Sequence, residues 1–462
     1  MPAKSNLDCI VVGGGISGLV CAHRLRQAGV EAGLLEQSSR LGGMIETVRQ
    51  DGFQFECGPQ SFLLTDDALD VVRSLGIEGR LQLADPKAPR FVVHRGALCP
   101  VPMSPPALFA TPLLSRATKL RLLAEPFRRA VPPDGDESVA SFIRRKFGED
   151  LLQNLVGPFV SGVHAGDPEK LSVASAFPFL AEWERQHGSV IRGAMRSRPA
   201  KGARRAGLAS FGGGLSDLVK ALSDALGDAA TVDASVTGIA ARRANGGRFF
   251  DVNVSFAGRT QTTLAARSVV VATDAGACAT VLGSLAPQLK TVAAALTYAP
   301  VAVVAAGYRR EQVTASVNGF GFLVPRTEAI RSLGTIFTSA LFPNRAPEGT
   351  VSLATFLGGA TDPDVTRCDE AELAETAERD NARILGITGG PRTRFVRVLP
   401  RALPQYNLGH ASQIAEINRE LAAIPGLFLA GNYLSGASIG ACCTQAGRTA
   451  EAVRAYLRSG PP

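Results

Sequence analysis

Gly13-Gly14-Gly15-Ile16-Ser17-Gly18 is the stretch that decides the fold. Before it lies Leu7 to Val12, a short apolar run that suits a buried parallel strand. After it, Leu19, Val20, Ala22 and Leu25 recur at helical spacing, and Gly29 is placed to end that helix. Glu31 to Glu36 reads as a second strand. The six residues match G-x-G-x-x-G between a strand and a helix. Gly13 permits the tight turn, Gly15 lets backbone approach a pyrophosphate, and Gly18 lets the helix pack close to the strand. The helix N-terminus offers free N–H groups and a partial positive charge to phosphates. Glu36 stands 18 residues beyond Gly18, near the ~20 expected of an acid that binds a ribose hydroxyl. The chain therefore begins as a βαβ unit that holds a dinucleotide.

Composition bounds the rest. At about 150 residues per domain, a chain of 462 residues implies two or three domains. Hydrophobic residues at 45% and charged residues at 19% exclude a fibre or a wholly disordered chain. A net charge of +8 is dilute over this length. The densest basic tract, Lys201 to Arg205, is short and lacks interleaved aromatics, which argues against a nucleic-acid partner. Eight cysteines at irregular spacing, without a C-x-x-C pair, fit a reduced cytoplasmic protein. Five scattered histidines give no metal-ligand cluster, so no metal is expected. The first apolar run stops at glycine after Val12, too soon for a signal peptide, and no spanning helix is expected.

Further along, prolines gather between residues 85 and 135, and a helical pattern runs from Glu137 to about Arg198. This stretch reads as an insertion between two parts of the nucleotide domain. Its apolar residues among Arg and Lys suit either a membrane surface or an ordinary helical core. Strand-like runs come next at Thr231 to Ile239, Phe249 to Phe256 and Ser268 to Ala272. Residues 292 to 360 alternate strand runs and turns, as in a second, sheet-based domain. Glu370 to Leu385 reads as a helix ended by Gly386, and a last helix is expected from about Thr444 to Leu457.

The residues just after Glu36 set the kind of dinucleotide. Arg40-Leu41-Gly42-Gly43 gives E-x-x-x-R-x-G-G, which resembles the flavoprotein signature of the amine oxidase-like superfamily; the resemblance implies a loop beside the FAD pyrophosphate, with Arg40 able to neutralise phosphate charge. Leu429-Ala430-Gly431-Asn432, near the other end of the chain, reads as a strand whose end approaches the same cofactor. Two nucleotide segments this far apart suit FAD, which spans a whole domain, better than a nicotinamide. Cys442 is not in a context that bonds flavin covalently, so the expectation is non-covalent FAD.

These motifs resemble the amine oxidase-like flavoproteins, and within them the oxygen-dependent protoporphyrinogen oxidases. The resemblance runs essentially end to end. It includes Glu56-Cys57-Gly58-Pro59, Gly162 to Asp167, Gly319 to Pro325 and Pro404-Gln405-Tyr406-Asn407-Leu408-Gly409-His410. It implies an α/β protein of mixed α+β character: a Rossmann-like FAD-binding domain (1–87, 206–275 and 400–462), a helical, membrane-associating domain (88–205) and a mixed-sheet substrate domain (276–399). It places FAD contacts on Gly13 to Gly18, Glu36, Gln37, Arg40, Gly42, Gly43, Met44, Gly58, Pro59, Gln60, Ser61, Val236, Asn432, Ala437, Ser438 and Ile439.

For the substrate it implies Arg90 as a propionate anchor, Leu323, Ile336 and Phe356 around a macrocycle, and Gly162 where backbone lies close to the ring. The implied reaction is haem-pathway oxidation of protoporphyrinogen IX to protoporphyrin IX. Three hydride transfers to FAD, each followed by reoxidation with dioxygen, account for six electrons and three hydrogen peroxides. No catalytic side chain is implied. His164 and His410 are candidate proton carriers for which structural roles are the simpler expectation. The implied location is the cytoplasm, with peripheral contact on the cytoplasmic face of a membrane. Oligomeric state is open, a homodimer included. The alternatives are coproporphyrinogen III oxidation by the same fold, an amine oxidase or carotenoid desaturase sharing only the FAD domain, and a non-catalytic flavin-binding partner.

Overall fold

Leu7–Val12 is apolar along nearly its whole length and lies in the middle of a seven-stranded sheet, where both of its faces are covered. The structure is a computed structural model that describes residues 7–128, 134–197, 207–244, 247–256 and 260–459. Leu7–Val12 pairs in parallel with Ala32–Leu35 on one side and with the second half of Thr260–Val271 on the other. Leu427–Leu429 adds a further parallel strand beside Thr260–Val271. The first half of that long strand runs on, antiparallel to Gly247–Phe256, which in turn pairs with Ala234–Ala244. One strand thus serves both a parallel nucleotide sheet and an antiparallel extension. Helices Ile16–Gln27 and Ile439–Ser459 share one core on the sheet, through Leu19, Val20, Ala446 and Ala450. The last helix begins five residues before the expected Thr444, because Ser438 caps it through the Ala441 N–H at 3.1 Å.

The second sheet also has seven strands. Its order is Thr393–Pro404, Tyr298–Arg309, Thr350–Gly358, Gly334–Ile336, Gly321–Leu323, Arg90–His94 and Ala97–Pro100. Helix Glu370–Leu385, stopped by Gly386 at φ +63°, packs on one face. Its Asn381 fixes the packing by hydrogen bonds to Thr335 (2.9 Å) and Thr355 (2.8 Å). The inserted helices, among them Val139–Lys146, Gly157–His164 and Pro178–His187, enclose a core of Phe142, Ile143, Phe147, Leu152 and Val160. Buried charge organises that core. Glu125, 1% exposed, accepts the Val190 N–H at 2.9 Å and the Ser189 hydroxyl, so it caps helix Val190–Arg196.

The sheets divide the chain differently from the expected boundaries at 88, 276 and 400. Strands Arg90–His94 and Ala97–Pro100 belong to the second sheet, because Arg90–His94 pairs in parallel with Gly321–Leu323. Helices Ala275–Leu282 and Pro287–Ala294 pack on the nucleotide sheet, where Cys278, Leu282, Leu289 and Ala293 join its core. Strand Thr393–Pro404 crosses the expected boundary as an edge of the second sheet. The basic tract Lys201 to Arg205 lies outside the described residues.

Candidate active site

The glycine loop has the geometry its spacing requires. Gly13 sits at φ +106°, and a Cβ there would come within 2.8 Å of the Ala272 carbonyl. A Cβ on Gly18 would overlap the Gly13 carbonyl oxygen, so glycine is what lets helix and strand touch. Gly15 is different, since a Cβ there would meet nothing within 4 Å. Open space therefore lies in front of the helix N-terminus. Ile16–Gln27 has no side-chain cap and no acidic residue in its first turn. Ser17 is buried beside the Cys442 thiol, so the first turn of Ile439–Ser459 begins next to that of Ile16–Gln27. Two positive helix ends converge on the same space.

Around that space the predicted residues come together. Gly42 N–H donates to Gly14 O at 2.8 Å, which lays the Gly42-Gly43 loop along Gly14 and Gly15. The Glu36 carboxylate accepts from Gly14 N–H (2.6 Å) and from Ser38 N–H (2.8 Å). Ala234 N–H donates to Glu36 O at 2.8 Å, which brings Val236, at a register shift in its strand, to the same end as Glu36 and the exposed Gln37. Gly58 lies against the Met44 carbonyl, and Met44 itself is exposed. Buried Gln60 holds the 58–61 turn, with Pro59 and Ser61 half-buried, by donating to Glu56 O and Gly58 O, both at 3.0 Å. Asn432, Ala437, Ser438 and Ile439 lead into the last helix. Arg40 departs from the expectation. Its guanidinium turns onto its own loop, to Gly43 O at 2.6 Å and Ile45 O at 3.2 Å, and pairs with Glu46 at 3.1 Å.

The predicted substrate residues share one face of the second sheet. Arg90, Gly321, Ile336 and Ala354 form one cross-strand row; Val92, Leu323, Gly334 and Phe356 form the next. Leu323, Ile336 and Phe356 are half-buried, whereas Phe322, Thr335 and Thr355 on the opposite face are buried. Gly321, Gly334 and Ala354 leave this face shallow between larger neighbours, as a flat ligand needs. Helix Gly157–His164 covers part of it. A Cβ on Gly162 would overlap Leu323 Cδ2, so this glycine lets the helix lie directly on the strand. The Arg90 guanidinium lies over the Phe320 ring, 5.3 Å from its centroid.

The sequence profile of flavin containing amine oxidoreductases matches residues 16–454. The chain belongs to that family. Chloroplastic protoporphyrinogen oxidase of Nicotiana tabacum is 35% identical over 98% of this chain and 86% of its own length. Coproporphyrinogen III oxidase of Bacillus subtilis is 28% identical over 97% of this chain and 98% of its own. A crystal structure from Exiguobacterium sp. 255-15, named provisionally as a protoporphyrinogen oxidase, superposes with a TM-score of 0.82 at 24% identity, over 98% of this chain and 99% of that one. As a member of the family this chain is a flavin-dependent oxidoreductase. The loop geometry fits a flavin dinucleotide: space for phosphate at Gly15, an uncapped helix N-terminus at Ile16, and an acid at the strand end.

Both candidate histidines are built in. His164 lies edge-on to Phe177 at 5.1 Å, and burial lowers its pKa to about 4. Buried His410 donates from Nε2 to Tyr433 O at 2.9 Å, and burial lowers its pKa as well. Two neighbours of the flavoprotein site escaped sequence reading. Buried Arg345 pairs with buried Glu56 at 2.6 Å, joining partners 289 residues apart with no local signal in either segment. Arg397 pairs with Glu46 at 3.6 Å. Its signal was available, a lone charge in the otherwise apolar strand run Phe395 to Leu399.

Proposed function

We propose that this chain oxidises protoporphyrinogen IX to protoporphyrin IX with non-covalently held FAD and dioxygen. The observation that carries this reading is the shallow apolar sheet face, with Arg90 at its edge, beside the dinucleotide loops. Its end-to-end similarity to plant protoporphyrinogen oxidases supports the same substrate. Gly13 to Gly18 and the two helix ends would hold the pyrophosphate, Glu36 the ribose, and the segments 58–61 and 432–439 the flavin. Bound FAD supplies the hydride acceptor and passes electrons to dioxygen, three times per porphyrin. Cys442 supports non-covalent binding, because its thiol is buried and burial raises its pKa, which leaves it a poor nucleophile.

The chain's own residues bind, orient and exclude water. Arg90 offers a charged fork to a propionate, and its stacking on Phe320 fixes the direction of that fork. Leu323, Ile336 and Phe356 desolvate the ring. Helix Gly157–His164 closes the face from above.

Peripheral membrane contact, on the cytoplasmic side, is part of the proposal. Of 13 exposed large hydrophobic side chains among the described residues, nine fall between Met103 and Met195, including Phe127 at 88% exposure. No described helix is long and apolar enough to cross a membrane. An amphipathic insert of this kind suits attachment to a lipid surface.

The test is direct. The purified flavoprotein is given protoporphyrinogen or coproporphyrinogen under air, and porphyrin fluorescence and peroxide are followed together. Faster oxidation of protoporphyrinogen, with about three peroxides per porphyrin as the flavin chemistry requires, is expected. A flavin-loaded protein that oxidises neither substrate refutes the reading.

A further inference from the structure

The second of the two rows on the substrate face extends further, toward the flavin loops. Phe356 pairs with Val303, and Val303 pairs with Arg397. The full row is therefore Val92, Leu323, Gly334, Phe356, Val303 and Arg397, and paired residues present their side chains to the same face. Arg90 begins the adjacent row at the opposite side of the sheet.

Arg397 is poorly used where it stands. Its side chain is 41% exposed, and its guanidinium makes one ion pair, at 3.6 Å to Glu46, and no hydrogen bond among the described residues. Glu46 is closer to Arg40, at 3.1 Å. Other arginines nearby are satisfied: Arg40 binds carbonyls of its own loop, and Arg345 binds Glu56 and Ser210. Arg90 matches Arg397 in this respect, since its guanidinium too has no hydrogen bond among the described residues. An otherwise apolar face thus carries an unsatisfied planar cation at each side.

We infer that Arg397 is a second carboxylate anchor, which recognises propionates on the macrocycle edge opposite to the edge held by Arg90. The inference rests on the tetrapyrrole reading above and refines its substrate. The two backbones stand five strand steps apart, about 24 Å at roughly 4.8 Å per strand. That exceeds the width of the macrocycle alone, and two arginine side chains together with a propionate arm on each edge make up the difference. A tetrapyrrole with two propionates on one edge reaches Arg90 alone. One with four propionates reaches both. Arg397 is then a specificity-determining residue: it lets the site accept coproporphyrinogen beside protoporphyrinogen, and its pairing with Glu46 holds it in place when no substrate is bound.

The experiment uses the flavin-loaded enzyme and the oxidised porphyrins, which bind without reacting. Affinities of coproporphyrin III and protoporphyrin IX are measured by fluorescence quenching for the wild type, Arg397→Met and Arg90→Met. Losing a charge-assisted carboxylate contact is worth about tenfold or more in affinity. Arg397→Met should lose that factor for coproporphyrin III and keep protoporphyrin IX affinity within about twofold, while Arg90→Met weakens both. The flavin spectrum and flavin content of Arg397→Met should match the wild type. Equal loss for both porphyrins overturns the inference, as does no loss for either. A changed flavin spectrum or lost flavin also overturns it, by assigning Arg397 to the cofactor. If the wild type binds neither porphyrin, the tetrapyrrole reading itself fails, and that result is separate from the others.

Discussion

Replacing Arg345 by Met tests how the two sheets are joined. Arg345 is 1% exposed and pairs at 2.6 Å with Glu56, which is 3% exposed. Glu56 also accepts from Leu215 N–H at 3.0 Å and Thr47 Oγ at 2.8 Å. Arg345 belongs to the loop after Thr338–Leu341 and Glu56 to the strand leading into the Gly58 turn, so the pair links the substrate sheet to the flavin loops. Removing one partner of a buried pair costs about 3–5 kcal/mol. The low end applies here, because two donors to Glu56 remain. Unfolding entropy of about 2.1 cal/mol/K per residue, over 462 residues, gives about 1 kcal/mol/K. Arg345→Met should therefore lower Tm by about 3 °C for cooperative unfolding.

The sign of the pH dependence provides a second check. Burial already raises the Glu56 pKa above its ordinary value, against the opposing pull of Arg345. Without Arg345 it rises further. A carboxyl whose folded pKa is raised binds its proton more tightly in the folded state, so acid stabilises the variant relative to neutral pH. The deficit should shrink as pH falls through that raised value. Adding Glu56→Gln, which removes the stranded charge, should recover most of the loss at neutral pH. Flavin-fluorescence melting of the wild type, both single variants and the double variant measures this. Losses that simply add in the double variant would refute the reasoning, as would a deficit independent of pH.

Three further outcomes are expected at the site. Gly15→Val should abolish flavin binding, because the open space in front of the helix is where phosphate must come; a fully flavinated variant by absorbance would defeat the loop assignment. Arg90→Ala should raise KM with little change in kcat, since propionate binding is much the same in ground and transition states; steady-state kinetics with an unchanged KM would remove Arg90 from the site. His164→Phe should make the protein more acid-resistant. The folded pKa of His164 is depressed from 6.5 to about 4, so the unfolded chain takes a proton that the folded chain refuses. Stability is lost as pH falls across that window, by at most about 1.4 kcal/mol per pH unit. Melting curves between pH 6.5 and 4 that are parallel for variant and wild type would exclude His164 as the cause.

What could be read from the sequence was what local spacing encodes. The glycine loop, the acid at Glu36 and the helix from Glu370 to the Gly386 stop all rest on neighbours within a few turns, and they stand where spacing put them. Which strands share a sheet was not legible, because strand pairing is non-local. Nothing within Arg90–His94 says that its partner is Gly321–Leu323, more than two hundred residues away. The contacts of Arg40 were not legible for a related reason. Its spacing gives proximity to phosphate, but the carbonyls of a tight glycine loop compete for the same guanidinium, and that competition is visible only in three dimensions. The pairing of Arg345 with Glu56 gave no signal, since a buried charge pair looks like two surface charges until both partners are placed.

The segment Pro404 to His410 is among those that carry the family resemblance, yet none of its side chains need touch a reacting atom. It continues from the edge strand Thr393–Pro404 and reaches across to the nucleotide domain. Tyr406 donates its hydroxyl to Asn432 O at 2.5 Å, and His410 donates to Tyr433 O at 2.9 Å. The two rings pack edge-on at 4.8 Å, so each fixes the other's orientation. Gln405 donates to His164 O at 3.0 Å, at the end of the helix that covers Leu323. Three consecutive demands are thus met by one short segment: it holds the turn that leads to Ala437 and Ile439, it anchors the covering helix, and it starts from the substrate sheet. Moving any one of these parts would change the distance between the macrocycle face and the flavin. Hydride transfer depends steeply on that distance. A motif whose His and Tyr serve only as hydrogen-bond donors to backbone can therefore bear on the reaction through position alone.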